Sequence, residues 1–271
     1  MNIMDNFSVL LSVYAKETAA NLRCALRSIL DQTLQPDQVV LVEDGVLGYE
    51  LISVIEDYCN LINMTIVKLE TNMGLAVALN EGLKFCTNDI VVRIDSDDIS
   101  FPHRFQTQVE YLMLHPEVVV CSSWLLEFSD ERLYSFIRKI PCEYSELILF
   151  SKYRNPIAHP SSAFRKNVIL SLGGYPTLRK CQDYALWSKV ILANYKIANL
   201  PDILVKMRVD NIFGGGRSLE YLKNEYKLFI FQYKIGFLTR YEFIRNYLLR
   251  CVLRLLPNRV KIILYKSLRT N

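Results

Sequence analysis

The sequence has few glycines and lacks the glycine-rich motifs that define two large classes of nucleotide-binding enzyme. It contains 10 glycines in 271 residues. No G-x-G-x-x-G turn follows the first predicted strand, and no G-x-x-x-x-G-K-[ST] loop occurs. These absences argue against a dinucleotide-dependent oxidoreductase and against a P-loop nucleotidase.

Paired cysteines, leader signals and long apolar runs are also missing. The seven cysteines are widely spread and form no C-x-x-C pair, which favours reduced thiols over a disulfide framework or a zinc cluster. The first residues lack the cationic region of a signal peptide. No uncharged apolar run approaches the roughly 18 to 20 residues of a membrane-spanning helix. We therefore expect a cytoplasmic protein that does not insert into a membrane.

Short apolar runs alternate with amphipathic helical patterns through the first hundred residues. Strands separated by helices of this length imply right-handed crossovers and a mainly parallel sheet covered on both faces. The predicted fold class is therefore α/β, Rossmann-like, with helices flanking a central sheet. The strands are predicted at residues 7–14, 38–42, 64–69 and 90–94.

The second half of the chain is less regular. A strand is predicted at 118–121, the stretch 122–140 is ambiguous, a helix begins near Asp183 with Ala193 facing inward, and a last strand is predicted at 195–200. Gly214 to Gly216 forms the clearest flexible joint. We therefore expect a catalytic domain at 1–213, divided into a nucleotide-binding half (1–100) and an acceptor half (101–213), and a helical C-terminal region at 217–271.

A cluster of acids, Asp95-Ser96-Asp97-Asp98, directly follows the fourth predicted strand, and Asp44 follows the second. Ligands of such sheets bind beyond the carboxyl ends of the strands, where both acids fall. Crowded carboxylates repel by about 1 kcal/mol per pair even in water unless a cation or hydrogen-bond donors compensate. Oxygen ligands suit Mg²⁺ or Mn²⁺. The alternative is that these acids cap the next helix or face solvent.

Five stretches in this order resemble glycosyltransferase family 2 enzymes of the GT-A fold, particularly bacterial enzymes that assemble surface polysaccharides. The resemblance covers about residues 7 to 210 and depends on the order and spacing of the stretches. They are Phe7-Ser8-Val9-Leu10-Leu11-Ser12-Val13-Tyr14, Val40-Leu41-Val42-Glu43-Asp44-Gly45, the run from Asn72-Met73-Gly74 to Leu83, Asp95-Ser96-Asp97-Asp98, and Gln182-Asp183-Tyr184-Ala185-Leu186-Trp187.

This resemblance implies roles for individual residues. Asp44 would accept from the uracil or ribose of a nucleotide-sugar, and Asp95 and Asp97 would hold ribose and a divalent cation, Mn²⁺ or Mg²⁺. The expected nucleotide-sugar-binding residues are Ser12, Tyr14, Glu17, Asp44, Asn72, Gly74, Asn80, Asp95 and Ser96, and the expected metal ligands are Asp95 and Asp97.

Asp183 is the expected catalytic residue. An acceptor hydroxyl is a poor nucleophile until a positioned carboxylate takes its proton, and the family's motif has an acid at this position. Gln182 replaces the first acid of the commoner Glu-Asp pair. With one base and no second nucleophilic carboxylate, direct displacement with inversion is expected. The alternative is that Asp183 only caps a helix.

Three further residues are candidate contacts for acceptor or phosphate: His159, Trp187 and Arg208. The alternatives are a structural hydrogen-bonding role for His159 and a core position for Trp187. Asp210 and Asn211 follow Arg208 where family members often have a histidine, so a histidine metal ligand is not expected.

Positive charge is concentrated in the C-terminal region. From Arg217 onward there are 12 Lys and Arg against 3 Asp and Glu, whereas the whole chain has a net charge of +4. Apolar residues recur at helical spacing, as in Ile244, Leu248, Val252 and Leu255. This composition is typical of helices on an anionic membrane face. The alternative is an amphipathic helix packed on the catalytic domain or on a second copy of the chain, while a nucleic-acid partner is not expected.

The sequence thus predicts an inverting, divalent-metal-dependent glycosyltransferase of the hexosyltransferase type. It would transfer a sugar from a UDP-sugar to a lipid-linked oligosaccharide in bacterial O-antigen (lipopolysaccharide) or capsule biosynthesis, as a peripheral protein on the inner face of the cell membrane. The alternatives are a sugar nucleotidyltransferase and a non-catalytic sugar-nucleotide or membrane-associated binding protein.

Overall fold

A single mixed β-sheet with helices on both faces organises the computed structural model, which describes residues 6–129, 134–209 and 219–255. Its strands are β1 (Phe7–Val13), β2 (Gln38–Asp44), β3 (Met64–Leu69), β4 (Ile90–Arg93), β5 (Ile99–Ser100), β6 (Val118–Ser129), β7 (Tyr134–Arg138), β8 (Ala163–Arg165) and β9 (Lys196–Arg208). The order across the sheet is β3-β2-β1-β4-β8-β6-β9-β5, with β7 paired to β6.

The helices include the crossover connections that the sequence pattern predicted in the first half. They are α1 (Ala19–Leu30), α2 (Tyr49–Cys59), α3 (Leu75–Phe85), α4 (Arg104–Leu114), α5 (Tyr144–Ser151), α6 (Lys166–Ser171), α7 (Gln182–Leu192), α8 (Leu219–Lys234) and α9 (Arg240–Leu255). A short 3₁₀ turn spans His159–Ser161.

The first four strands in the sheet order, β3-β2-β1-β4, are all parallel, which confirms the predicted crossovers. Alternate residues of β1 enter two different cores: Val9 packs on one side of the sheet and Leu10 on the other. Burial on both faces explains why these strands are continuous apolar runs. The carboxyl ends of β2 and β4 therefore lie at the same edge of the sheet, on either side of β1, as expected for Asp44 and Asp95.

The second half departs from the simple parallel pattern. Strand β8 lies antiparallel between β4 and β6, and β9 runs parallel to β6. The ambiguous stretch 122–140 contributes the rest of β6 and strand β7, which pair antiparallel. Strand β9 continues to Arg208, well beyond the predicted end at residue 200. Ala193 is exposed rather than inward, because α7 ends at Leu192.

Helices α8 and α9 form a hairpin that packs on α7. The apolar contact includes Tyr184 and Ala185 of α7 with Phe229 of α8 and Phe237 of the connecting turn. The predicted joint at 214–216 and the basic segment from 256 onward lie outside the described residues, so the predicted domain division stays a prediction. Among the described helices, none combines the length and the apolarity needed to cross a bilayer.

Candidate active site

Three carboxylates converge in the turn between β4 and β5. Ligand oxygens of Asp95, Asp97 and Asp98 all lie within 4.8 Å of one another. The turn closes through a hydrogen bond from the Asp98 N–H to the Asp95 carbonyl, at 3.4 Å. At this spacing the carboxylates repel one another strongly unless positive charge lies between them.

Arg93 supplies part of that charge from beneath the cluster. Its side chain is only 1% exposed, and its guanidinium donates two hydrogen bonds to the Asp95 carboxylate, which is 29% exposed. Such a bidentate pair fixes the orientation of both groups. The carbonyl of Arg93 is held in turn by Arg104, whose Nη2 donates to it at 2.6 Å.

The remaining two carboxylates lack full compensation from the described residues. Asp98 is 1% exposed, and its Oδ1 accepts the Arg208 N–H at 2.8 Å, while its buried Oδ2 has no hydrogen-bond partner. Burial and the neighbouring charges of Asp95 and Glu17 raise the pKa of Asp97 to about 7. A buried orphan oxygen and a carboxylate that resists ionisation fit a divalent cation held by oxygen ligands.

The β1 loop contacts the acid cluster through Glu17. The Ser96 hydroxyl donates to Glu17 Oε2 at 3.1 Å, and the other carboxylate oxygen of Glu17 accepts the Thr18 N–H at 2.8 Å. Ser12 lies near the end of β1, partly buried, and Tyr14 follows it with 44% of its surface exposed. Four of the predicted nucleotide-sugar residues thus lie at the same edge of the sheet: Ser12 near the end of β1, Tyr14 and Glu17 on the loop that follows it, and Ser96 on the turn after β4.

Asp44 organises the loop that leads into α3. Its carboxylate accepts the N–H groups of Met73 at 2.7 Å and Gly74 at 3.0 Å, and its carbonyl accepts from the Asn72 amide at 3.2 Å. Gly45 lies so close that a Cβ would come within 2.7 Å of the Asn72 nitrogen. Asp44, Asn72 and Gly74 therefore form one connected unit. The nucleotide contact predicted for Asp44 would use its remaining lone pairs.

The Asn80 side chain on α3 binds the backbone of a turn that is distant in sequence. Its amide makes two hydrogen bonds with the backbone of Tyr175, accepting from the N–H at 2.8 Å and donating to the carbonyl at 2.9 Å. A Cβ on Gly174, which has φ +66°, would lie 2.4 Å from the Asn80 oxygen. In this structure Asn80 therefore anchors the turn that carries Tyr175; its predicted nucleotide contact remains a prediction.

An aromatic cluster lies behind the acids. The His159 Nε2 is 3.1 Å from the Tyr175 hydroxyl, and both rings pack near Trp187. Burial, with Arg93 nearby, lowers the pKa of His159 well below its usual value, so the ring is neutral. Trp187 is completely buried. Complete burial favours the alternative core position for Trp187, and its contact with acceptor or phosphate stays a prediction.

Asp183 is the second residue of α7, and Cys181, which precedes the helix, has the unusual backbone φ of +62°. Asn155 donates to Asp183 Oδ2 at 2.6 Å. Burial raises the pKa of Asp183, while the Tyr184 N–H, the Asn155 amide and the charge of Arg93 act in the opposite direction. A raised pKa suits a group that takes up a proton during a reaction. Gln182, its neighbour, is buried.

Arg208 at the end of β9 contacts the acid turn from the far side. Its N–H bonds Asp98, its Nε donates to the Asp97 carbonyl at 3.3 Å, and its guanidinium lies 4.7 Å from the centre of the Phe128 ring. The structure therefore brings Arg208 to the cluster, as the predicted phosphate contact requires. That contact itself remains a prediction.

Sequence reasoning missed three residues of the site: Arg93, Asn155 and Tyr175. Arg93 had a visible signal, because a charged residue inside an otherwise apolar strand, two positions before an acid, faces the same side as that acid. Asn155 and Tyr175 gave no such signal. Their places depend on a loop and a turn that only the folded chain brings to α7 and β4.

The model of the family described as "Glycosyl transferase family 2" matches residues 8–172 of this chain. The chain is 38% identical over 265 residues to the amylovoran biosynthesis glycosyltransferase AmsE of Erwinia amylovora, covering 96% of this chain and 98% of that protein. It is 36% identical over 263 residues to a UDP-Gal:alpha-D-GlcNAc-diphosphoundecaprenol beta-1,3-galactosyltransferase of Escherichia coli, covering 96% and 95%.

Solved structures share the fold at lower identity. A mannosyltransferase of Pyrobaculum calidifontis, in complex with GDP-Man and Mn²⁺, superposes with a TM-score of 0.65 at 20% identity, over 93% of this chain and 70% of that one. TarS of S. aureus (residues 1–349), in complex with UDP-GlcNAc, gives 0.63 at 19%, over 83% and 66%. The predicted GT-A fold is confirmed, and the chain belongs to glycosyltransferase family 2.

Proposed function

We propose that this family 2 enzyme transfers a sugar from a UDP-sugar to a lipid-linked oligosaccharide, with inversion and with the help of a divalent cation, in bacterial surface-polysaccharide synthesis. The observation that carries the proposal is the acid cluster with its orphan Asp98 oxygen and its Asp97 of raised pKa. Asp183 lies close enough to the acid cluster that the charge of Arg93 acts to lower the pKa of both Asp183 and Asp97.

The acid cluster would hold the diphosphate side of the donor. Asp95, which Arg93 orients, and Asp97 would hold the cation, as the sequence predicts, and the unpartnered oxygen of Asp98 makes Asp98 a third candidate ligand. When bound, Mn²⁺ or Mg²⁺ would neutralise the charge that grows on the departing diphosphate. Asp97 would then ionise, because the cation replaces the missing positive charge. Glu17 and Ser96 would position the ribose from the adjoining loops.

Asp183 would act on the acceptor side as general base. The acceptor oxygen forms a bond to the anomeric carbon, the bond from that carbon to the diphosphate oxygen breaks, the hydroxyl proton passes to Asp183, and UDP departs. A single displacement of this kind inverts the anomeric configuration. The hydrogen bond from Asn155 fixes the orientation of the Asp183 carboxylate relative to the acceptor.

The choice of donor and acceptor class is supported by sequence similarity. A relative at 36% identity is named as a UDP-Gal transferase onto GlcNAc-diphosphoundecaprenol, and another at 38% is named for amylovoran biosynthesis. Both alignments cover nearly the whole of this chain and of those proteins. We infer that this enzyme catalyses the same class of reaction, in which a sugar passes from a nucleotide-sugar donor to a lipid-diphosphate acceptor.

Helix α9 supports action at the membrane surface on the cytoplasmic side, where a nucleotide-sugar and a lipid-linked acceptor would meet. One face of α9 packs on α8 and α7 through Phe243 and Tyr247. Another face leaves apolar side chains between 44% and 73% exposed at helical spacing, namely Tyr241, Ile244, Leu248, Leu249 and Val252. The arginines around it suit an anionic lipid surface.

Vesicle binding tests the membrane part of the proposal. Replacing Leu248 and Leu249 together with serine should weaken co-sedimentation with phosphatidylcholine–phosphatidylglycerol vesicles by about tenfold or more, because both side chains would leave the bilayer interface. Leu114→Ser is the matched control, since Leu114 is 77% exposed on α4. If the α9 variant binds vesicles as tightly as the Leu114→Ser control, the exposed face of α9 contacts another partner, such as a second copy of the chain.

Product analysis tests the transfer itself. Purified enzyme with Mn²⁺ is given a panel of UDP-sugars and GDP-sugars together with a detergent-solubilised GlcNAc-diphosphate lipid. We expect mass-detected transfer from a UDP-sugar, loss of transfer in EDTA with recovery on adding Mn²⁺, and an inverted anomeric centre by NMR. Activity that persists in EDTA, or a retained configuration, would contradict the proposed mechanism.

A further inference from the structure

The C-terminal hairpin contacts the end of α5, which leads directly to the loop beside Asp183. The carbonyls of the last residue of α5 and of the next two residues have no partner within the helix and accept donors from elsewhere in the fold. The Ser151 carbonyl accepts from the Tyr184 hydroxyl of α7 at 2.7 Å. The Lys152 carbonyl accepts from the Asn246 amide at 2.6 Å, and the Tyr153 carbonyl accepts from Arg250 Nη2 at 3.2 Å, both donors lying on α9.

The contact is reciprocal and well buried. Lys152 Nζ donates to the Phe237 carbonyl at 2.5 Å, in the turn between α8 and α9. Asn246 is only 3% exposed. A buried amide that loses its acceptor leaves both partners unsatisfied, so residues 152 and 153 are held firmly to the hairpin.

The other end of the same loop is fixed on the sheet. Asn199 of β9 donates to the Pro156 carbonyl at 2.9 Å, and the Ala158 N–H donates to the Ser122 hydroxyl of β6 at 3.0 Å. Asn155 therefore lies between two anchored segments, one on the hairpin and one on the sheet. Its position depends on both.

The orientation of the Asn155 side chain is set by its two partners. Its Oδ1 accepts the Ile157 N–H at 3.4 Å, which turns the NH₂ group toward Asp183. The Nδ2 then donates to Asp183 Oδ2 at 2.6 Å. An amide held this way stabilises the ionised carboxylate and limits its rotation.

We propose that Asn155 is a positioning residue for the Asp183 base, and that the α8–α9 hairpin maintains this geometry by holding residues 152 and 153 through Asn246 and Arg250. The inference rests on the proposed function, because it needs Asp183 to be the base. It adds that the hairpin, which lies outside the segment that the family model matches, is part of the scaffold of the catalytic site.

Two sets of variants separate this role from a general structural one. Asn155→Ala removes the donor to the base. Asn246→Ala removes the link from the hairpin, and Arg250→Met removes the neighbouring link from a more exposed position in case the first variant folds poorly. Asn224→Ala is the matched control, because Asn224 is also a buried hairpin asparagine but donates to the Glu220 carbonyl within α8.

Transfer from UDP-galactose to the GlcNAc-diphosphate lipid is measured in detergent, so vesicle binding does not enter. We expect Asn155→Ala to lower kcat by about tenfold to a hundredfold, the range found for partners that orient the ligands of a metal, with the KM for donor unchanged. The acid limb of the pH–rate profile of this variant should move to higher pH, because loss of the amide donor raises the pKa of Asp183. Within the described residues, the titratable groups that act on Asp183 include Arg93 from β4, Tyr175 and Cys181, and all three remain in the variant.

The hairpin variants should lower kcat in the same direction by about threefold to tenfold, without changing the KM for donor, whereas Asn224→Ala should keep the wild-type kcat. If Asn246→Ala and Arg250→Met match the Asn224→Ala control, the hairpin has no positioning role. A wild-type kcat and pH profile for Asn155→Ala would overturn the inference entirely. Asp183→Asn, measured alongside, must abolish transfer; if it does not, the proposed base fails rather than the positioning role.

Discussion

Replacing Arg93 is the sharpest test of how the acid cluster is held. Arg93→Met keeps most of the side-chain volume but removes the charge that faces Asp95. Removing one partner of a buried ion pair typically costs about 3 to 5 kcal/mol. Asp95 is 29% exposed and can regain part of its hydration, so we expect a loss of about 2 to 3 kcal/mol in the free energy of unfolding.

Urea denaturation followed by circular dichroism, in EDTA, measures this loss. With an m value of about 3 kcal/mol per molar urea for a chain of this size, the midpoint should fall by about 0.7 to 1 M. Arg93→Lys keeps one positive charge without the bidentate geometry and should lie between the wild type and Arg93→Met.

Arg23 provides the matched control. It pairs with Asp57 at 3.0 Å, but the two side chains are 51% and 52% exposed, and such surface pairs contribute about 0 to 1 kcal/mol. Arg23→Met should therefore move the midpoint very little. If Arg93→Met and Arg23→Met give the same small shift, the buried arginine does not stabilise the acid turn and this part of the reasoning is wrong.

Three further predictions follow from the site. Gly174→Ala should lose about 2 to 4 kcal/mol, through its left-handed backbone and the clash with Asn80, whereas Gly48→Ala, with no atom near its Cβ, should change the melting temperature little. Asp97→Ala should lower transfer by about a hundredfold or more even at saturating Mn²⁺, and a wild-type rate would remove its assignment as a ligand. Burial raises the pKa of Asp183. As the pH is lowered, kcat/KM for acceptor should therefore begin to fall at a pH above the usual pKa range of an aspartate. The same shift favours the protonated form in the folded state, so stability falls as pH rises through the unfolded pKa toward the folded one. Asp183→Asn should accordingly be at least as stable as the wild type at pH 7, and a destabilised variant would contradict this.

The parallel half of the fold could be predicted because local pattern and tertiary structure agree there. Strand β3 has the predicted bounds, Met64–Leu69, and helix α3 (Leu75–Phe85) follows it before β4, as the predicted alternation requires. Their apolar spacing reflects burial against one sheet, a property that sequence periodicity reports directly. The location of Asp44 and the acid cluster at the same edge of the sheet followed from the topology of parallel strands.

The second half was harder because its elements are defined by distant partners. Strand β9 continues to Arg208 only because its later residues pair with β6 and β5. The three-residue β8 between β4 and β6 is too short to show a period. Asn155 and Asn80 similarly take their roles from partners 28 and 95 residues away, and no local pattern encodes such a distance.

The transfer rate of Asp183→Asn, with UDP affinity measured on the same preparation, tests the central claim most directly. Substitution of a general base typically costs about 10² to 10⁴ in rate, while the isosteric amide can still accept from Asn155 and leave the fold intact. We expect transfer to fall by at least about a hundredfold with an unchanged Kd for UDP in the presence of Mn²⁺. A variant that transfers at the wild-type rate would contradict the assignment of Asp183 as the base and with it the proposed mechanism.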